Sequence, residues 1–143
     1  MKILILNGPN LNLLGDRDTS TYGTDTLTDI ENNLKSSFPE IEFTFLQSNH
    51  EGELIDAIQN SRNGLYDALV ANWGGFTHSS VAIHDALELL DIPKVEVHIS
   101  NIHAREEFRE HSVTGRVMDG VITGFGINSY HLGVIAAKSL AQK

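Results

Sequence analysis

The sequence contains no cysteine, which excludes disulfides, thiolate nucleophiles and cysteine-ligated metals. A zinc site would have to rest on histidine and carboxylates. No apolar run approaches the roughly 18 residues that a membrane-spanning helix needs, so no membrane association is expected. After Met1 and Lys2 the run Ile3 to Leu6 stops at Asn7, too short for the apolar region of a secretory signal. A cytoplasmic location is the expectation. Basic residues are also scarce. Lys and Arg number 10 against 19 Asp and Glu, and the resulting net charge of -9 opposes nucleic-acid binding, which needs cations to neutralise phosphates. An anionic ligand would have to meet arginines gathered locally. The phosphate-cradling signatures are missing too: no Gly-x-Gly-x-x-Gly follows the first apolar run, and no Gly-Lys-Ser/Thr loop occurs. Without a Gly-x-Ser-x-Gly elbow, Thr77, Ser79 and Ser80 read as helix-capping residues rather than nucleophiles.

What is present is an alternation of short continuous apolar runs with segments of helical period. That is the pattern of βαβ units around a parallel sheet buried on both faces. Five strands are expected, at Lys2 to Leu6, Glu42 to Gln47, Ala68 to Ala71, Val95 to Ile99 and Val121 to Thr123. Glu42 and Thr44 mark the second as an exposed edge. Leu27, Ile30, Leu34 and Phe38 recur at offsets of three and four behind possible caps at Asp25 and Thr26, which predicts a helix with one buried stripe. Leu54, Ile55 and Ile58 predict another. Further helices are expected over Ser79 to Leu90, ended by Pro93, and over Ser129 to Ala141. Together these predict a single α/β domain over residues 1–143: a flavodoxin-like, doubly wound five-stranded parallel sheet in a three-layer α/β/α sandwich.

In such a sheet, ligands bind beyond the carboxyl ends of the strands. Four of those ends are polar here, at Asn7 to Asn10, Ser48 to His50, Asn72 to Gly75 and His98 to Asn101. A site on that rim is the expectation. The connection from Asn7 to Gly23 exceeds the 2 to 6 residues usual between strand and helix, and it carries Asn10, Asn12, Arg17 and Tyr22. It reads either as a mobile lid or as a surface loop with Asn and Gly in its turns. Glu96 and His98, two apart on one strand, share a face. A carboxylate beside an imidazole can fix its tautomer and favour its charged form, so His98 is a candidate general acid, although strand histidines also serve as structural hydrogen-bonders. Arg105 and Arg109, four apart, could hold hydroxyls or a carboxylate, or simply pair with Glu106, Glu107 or Glu110 on a solvated face. The second reading is preferred for Arg105. The spacing of the histidines matches no helical metal pair, and no metal is expected.

Taken together, Leu6 to Gly15 followed by Arg17 and Tyr22-Gly23, then Gln47 to Gly52, then Glu96 to Asn101, then His103 to Glu106, closely resemble the type II 3-dehydroquinate dehydratases. The resemblance runs from Lys2 to about Ala137. It implies a flavodoxin-like subunit in a dodecamer built as a tetramer of trimers. The implied activity is that of a hydro-lyase converting 3-dehydroquinate to 3-dehydroshikimate in the shikimate pathway of aromatic amino-acid biosynthesis, without cofactor. Matched by position, it implies Tyr22 as the base, Arg17 as its activating neighbour, Asn10 as holder of a water at the enolate, and His98 as the acid, oriented by Glu96. It further implies Asn72, Ile99 and Ser100 for the substrate carboxylate, His78 and Arg109 for ring hydroxyls, and Asp85 reaching across a subunit interface.

Two stretches depart from the family. Asn72-Trp73-Gly74-Gly75-Phe76-Thr77-His78 stands where Asn-Pro-Gly-Ala-Tyr-Thr-His is usual, and Glu110 to Gly115 replaces His-His-Ser-Tyr-Ile-Ser. Two rival readings stand beside the enzyme: an inactive structural homologue, differing through Trp73, and a flavodoxin-like binding module, which would share the sheet.

Overall fold

The structure, a computed structural model, describes residues 1–143. Strands β1 (Lys2–Asn7), β2 (Glu42–Gln47), β3 (Ala68–Asn72), β4 (Lys94–His98) and β5 (Gly120–Thr123) form one parallel sheet in the order β2-β1-β3-β4-β5. This is the flavodoxin-like order, and the chain reverses its winding at the β1/β3 junction. Helices α2 (Leu27–Ser37) and α5 (Asn128–Ala141) cover one face, α3 (Glu51–Asn60) and α4 (Val81–Glu88) the other. A short helix α1 (Thr19–Tyr22) lies in the long connection after β1.

The pleat of β1 explains the two cores. Ile3 and Ile5 join Ile30, Leu34, Tyr130 and Val134 on one side, while Leu4 and Leu6 join Leu54, Ile58, Ile83 and Leu87 on the other. β2 is an edge strand with alternating exposure, as its Glu42 and Thr44 predict. Thr26 caps α2 in a reciprocal box with Asp29, and Ser80 caps α4 by accepting from the Ile83 amide. Thr77 caps nothing. It is buried in the tight turn Gly74–His78, and α4 begins two residues later than expected because Ser79 closes that turn and Ser80 serves as the helix cap.

Leu11 and Leu14 sink into the α2/α5 core, so the start of the long connection is anchored, while Asp16 to Gly23 rises over the sheet's polar rim. At the same rim β1 and β3 approach unusually closely. The Gly8 amide donates to the Asn72 carbonyl at 2.7 Å, and a Cβ on Gly8 would lie 2.2 Å from the Trp73 carbonyl oxygen. Because the obstruction is backbone, Gly8→Ala is expected to destabilise the fold by about 3 kcal/mol. The check is a urea unfolding midpoint that falls with unchanged slope.

Candidate functional site

A recess opens at the carboxyl ends of β1, β3 and β4, roofed by the segment that carries Arg17 and Tyr22. Asn10 enters from β1. Its backbone is left-handed at φ 68°, a conformation asparagine tolerates better than most residues, and its amide donates to Asn49 Oδ1 at 2.9 Å. The same oxygen accepts from Gln47, whose Nε2 also donates to the Gly8 carbonyl. The polar end of β2 therefore buttresses the Asn10 turn rather than lining the recess.

Tyr22 is held by two arginines. Arg17 donates to its phenolic oxygen at 3.2 Å and Arg105 at 2.7 Å, and the Arg17 guanidinium also lies over the ring, 4.4 Å from its centroid. Sequence reasoning placed Arg105 on a solvated face, and that reading is wrong. Between the short turns Ile102–Ala104 and Glu107–Arg109 the backbone at Arg105 is extended, which turns its side chain into the recess. Glu106, 3.9 Å from it, is paired at 2.9 Å with Arg109 instead. Two charge-assisted donors thus converge on one phenolic oxygen and place positive charge directly beside it.

Across the recess, His98 Nε2 meets Glu96 Oε2 at 3.0 Å. Glu96 is 0% exposed, and both of its oxygens are occupied: Ser112 donates to Oε2 at 2.9 Å and Thr114 donates to Oε1. The carboxylate meets the imidazole at Nε2, which leaves Nδ1 of His98 for the recess. His78 stacks beside it with 6.5 Å between ring centroids, and its Nδ1 donates to the His111 carbonyl at 2.8 Å.

Asn72 is fixed from below. Its Nδ2 donates to the Tyr130 hydroxyl at 3.2 Å, that hydroxyl donates to Asn7, and Asn72 Oδ1 accepts from the Gly74 amide. Burial pushes the Tyr130 phenol well above its ordinary pKa, so it remains a neutral linker. One hydrogen of the Asn72 amide remains for a ligand. Ile99 and Ser100 line the recess beside it, and neither of their amides donates to another protein group. Arg109 and His78 complete the wall. Trp73 turns away, buried in the α3/α4 core.

Of the residues expected from the sequence, Asn10, Arg17, Tyr22, Asn72, His78, His98, Ile99, Ser100 and Arg109 converge on this one recess, and Glu96 stands directly behind it. Asp85 does not. It lies on α4, 67% exposed at the side chain, in a separate groove with Val81 and His111. His84, Asp85 and Glu88 are the one set of ligand types close enough to share a cation, and they sit outside the recess.

Known proteins resemble this chain along almost its whole length. A family model described as Dehydroquinase class II matches residues 1–138. The 3-dehydroquinate dehydratase of Pelodictyon phaeoclathratiforme is 53% identical over 137 residues, covering 95% of this chain and 91% of that one. That of Bacillus licheniformis is 54% identical over 134 residues, covering 92% of each. Among solved structures, the type II dehydroquinase from Butyrivibrio crossotus superposes with a TM-score of 0.93 at 45% identity, over 96% of this chain and 97% of that one.

Desolvation pushes the His78 imidazole below its ordinary value of 6.5; the His111 carbonyl opposes this, while the positive charges of His98 and Arg109 reinforce it. The unfolded chain therefore takes up a proton here before the folded one does. The stability linked to this group is complete above about pH 6.5 and is lost as the pH falls below it. His78 should titrate below 6.5 by NMR, and His78→Gln should soften the acid-side loss of stability. A midpoint at or above the ordinary value would contradict the assignment.

Proposed function

The chain belongs to the Dehydroquinase class II family, and from that premise we propose that it dehydrates 3-dehydroquinate to 3-dehydroshikimate through an enolate, with Tyr22 as base and His98 as acid. The observation that carries this reading is the convergence of two guanidiniums on the Tyr22 oxygen opposite a histidine backed by a buried carboxylate. Removing a proton next to a ketone requires a base, a donor to the developing oxyanion, and an acid for the departing hydroxyl. Arg17 and Arg105 hold Tyr22 as phenolate, and its oxygen takes the proton from the carbon beside the carbonyl. The electron pair moves onto the carbonyl oxygen, where a water held by Asn10 stabilises the enolate. As the carbonyl re-forms, the ring hydroxyl departs and takes a proton from His98, leaving as water. The proton gained by Tyr22 returns through solvent to His98.

Binding follows the same layout. The free amides of Ile99 and Ser100, with the remaining Asn72 hydrogen, suit a carboxylate. Neutral His78 presents Nε2 as an acceptor for a ring hydroxyl, and Arg109 at the rim donates to another. Three arginines concentrated at one recess answer the problem of drawing an anion to an acidic chain. No step calls for a cofactor, since each role falls to a side chain. The inactive-homologue reading rested on Trp73, whose side chain lies in the α3/α4 core and does not reach the recess. A flavin or nucleotide module is disfavoured because the β1 turn is occupied by the Asn10 buttress. The chain would work as a dodecamer built as a tetramer of trimers, in which Asp85 completes a neighbour's recess.

The direct test is the absorbance rise of enone formation from 3-dehydroquinate. Tyr22→Phe should abolish turnover while leaving fold and substrate affinity largely intact, because the ring is kept and the proton acceptor is lost. His98→Ala should lower kcat by roughly 10²- to 10⁴-fold, the usual loss with a general acid, yet preserve exchange of the substrate's acidic hydrogen with deuterium. Loss of exchange as well would place His98 earlier in the reaction.

Asp85 yields a separate expectation, because it is exposed in the isolated chain and remote from that chain's own recess. Asp85→Ala should reduce both activity and assembly, read by rate and by light scattering. A fully active monomer would contradict the assembly reading.

A further inference from the structure

We propose that Thr114 is a positioning residue for His98, acting through Glu96 and holding that carboxylate ionised so that the imidazole carries the proton the reaction uses. This rests on the reading of His98 as the acid. Glu96 is fully buried, and no lysine or arginine lies within ion-pair distance of it; its one ionisable partner is His98. A buried pair of this kind can hold its proton on either member. Only the form with the charge on the imidazole supplies an acid to the recess. What decides between the forms is the number of donors on the carboxylate, since each one favours the anion.

Thr114 and Ser112 are those donors. Each hydroxyl has one hydrogen, and the two carboxylate oxygens divide them: Thr114 serves Oε1, and Ser112 serves Oε2 alongside His98. Without Thr114, Oε1 would have no partner. Its backbone is fixed for the task, because the amides of Val113 and Thr114 both donate to the Thr77 carbonyl, in the same turn that carries His78. Gly115 closes the arrangement. Its amide donates to Ser112 Oγ at 2.7 Å, and a Cβ there would stand 2.8 Å from that oxygen and 3.1 Å from a Val121 methyl. The departure Thr114-Gly115 is thus a paired solution, one residue donating and the next leaving room for the backbone to approach Ser112. The other charged or titratable groups facing His98 are His78 at 6.5 Å between rings, and Tyr22, Arg17, Arg105 and Arg109 across the recess. The arginines oppose a further positive charge on His98, which makes the state of Glu96 decisive.

The test compares Thr114→Val, which keeps the shape without the hydroxyl, with Thr114→Ser, which keeps the hydroxyl, in the full-length protein. The pH profile of kcat, KM, and the ¹⁵N signals of the His98 imidazole are read together. For Thr114→Val the alkaline limb of kcat should move to lower pH by about one unit, in keeping with the loss of one hydrogen bond to a charged group. KM should change little, and the ¹⁵N signals should move from the imidazolium pattern toward the neutral one at the same pH. Thr114→Ser should restore both. Unchanged ¹⁵N signals in the valine variant, or a serine variant that behaves like valine, would overturn the proposal. A ¹⁵N response without movement of the kcat profile would support Thr114's control of the pair and instead sink the assignment of His98 as acid. Should Thr114→Val fail to fold, Thr114→Ala carries the same expectations and the same overturning results.

Discussion

The constraint on which the rest depends is the close approach of β1 and β3 at the point where the sheet reverses its winding. Two strand ends must run side by side, present polar side chains upward and leave no backbone group unpaired below. Gly8 makes the approach possible by lacking a Cβ, and its amide satisfies the Asn72 carbonyl. Tyr130 of α5 then supplies a single hydroxyl between the Asn7 and Asn72 side chains, donating to one and accepting from the other. A buried hydroxyl used in both directions pairs Asn7 Oδ1 and one hydrogen of the Asn72 amide at once, which matters because each unpaired buried group costs about 1 to 3 kcal/mol. The Asn72 amide is oriented by this bridge before any ligand arrives.

The same logic, applied to charge, shapes the other side of the recess. A carboxylate can be placed inside a protein only if donors replace the water it loses. Glu96 occupies a strand position whose neighbours Val95 and Val97 are core residues, and it is accommodated by His98 and two hydroxyls instead of a lysine or arginine. That choice has a chemical consequence. An arginine in the same place would neutralise Glu96 and remove its influence on the imidazole, whereas neutral donors stabilise the charge and leave it acting on His98.

The sheet and the location of the site were legible in the sequence because each rests on local patterns. Continuous apolar runs fixed four strands to within a residue or two, and Glu42 with Thr44 marked the edge. Polar strand ends pointed to the rim where the recess opens, although the end of β2 supports that rim and does not line it. Arg105 was misread because its neighbours in sequence are acidic, and local charge pairing is the natural inference for a lone segment. Its actual partner, Tyr22, is 83 residues away and meets it only because the α1 segment folds back over β4. Thr114 was noticed as a departure, but nothing nearby in sequence reveals that it faces Glu96, 18 residues earlier on another element. Local periodicity finds the scaffold; partners that meet through topology stay hidden.

The two halves of the recess differ in how they are built. His98, Glu96 and Asn72 belong to strands or strand ends and are locked from behind by buried partners. Tyr22 and Arg17 belong to a connection anchored at Leu11 and Leu14 and far more exposed beyond them, with Arg105 reaching up from the sheet to the same phenolic oxygen. Arg17 comes from the same connection as Tyr22, whereas Arg105 comes from the rim below, so one cation at the phenolic oxygen is local in sequence and the other is brought by the sheet. That oxygen therefore ties the exposed connection to the strand-borne half of the recess, which is already fixed from behind by its own buried partners.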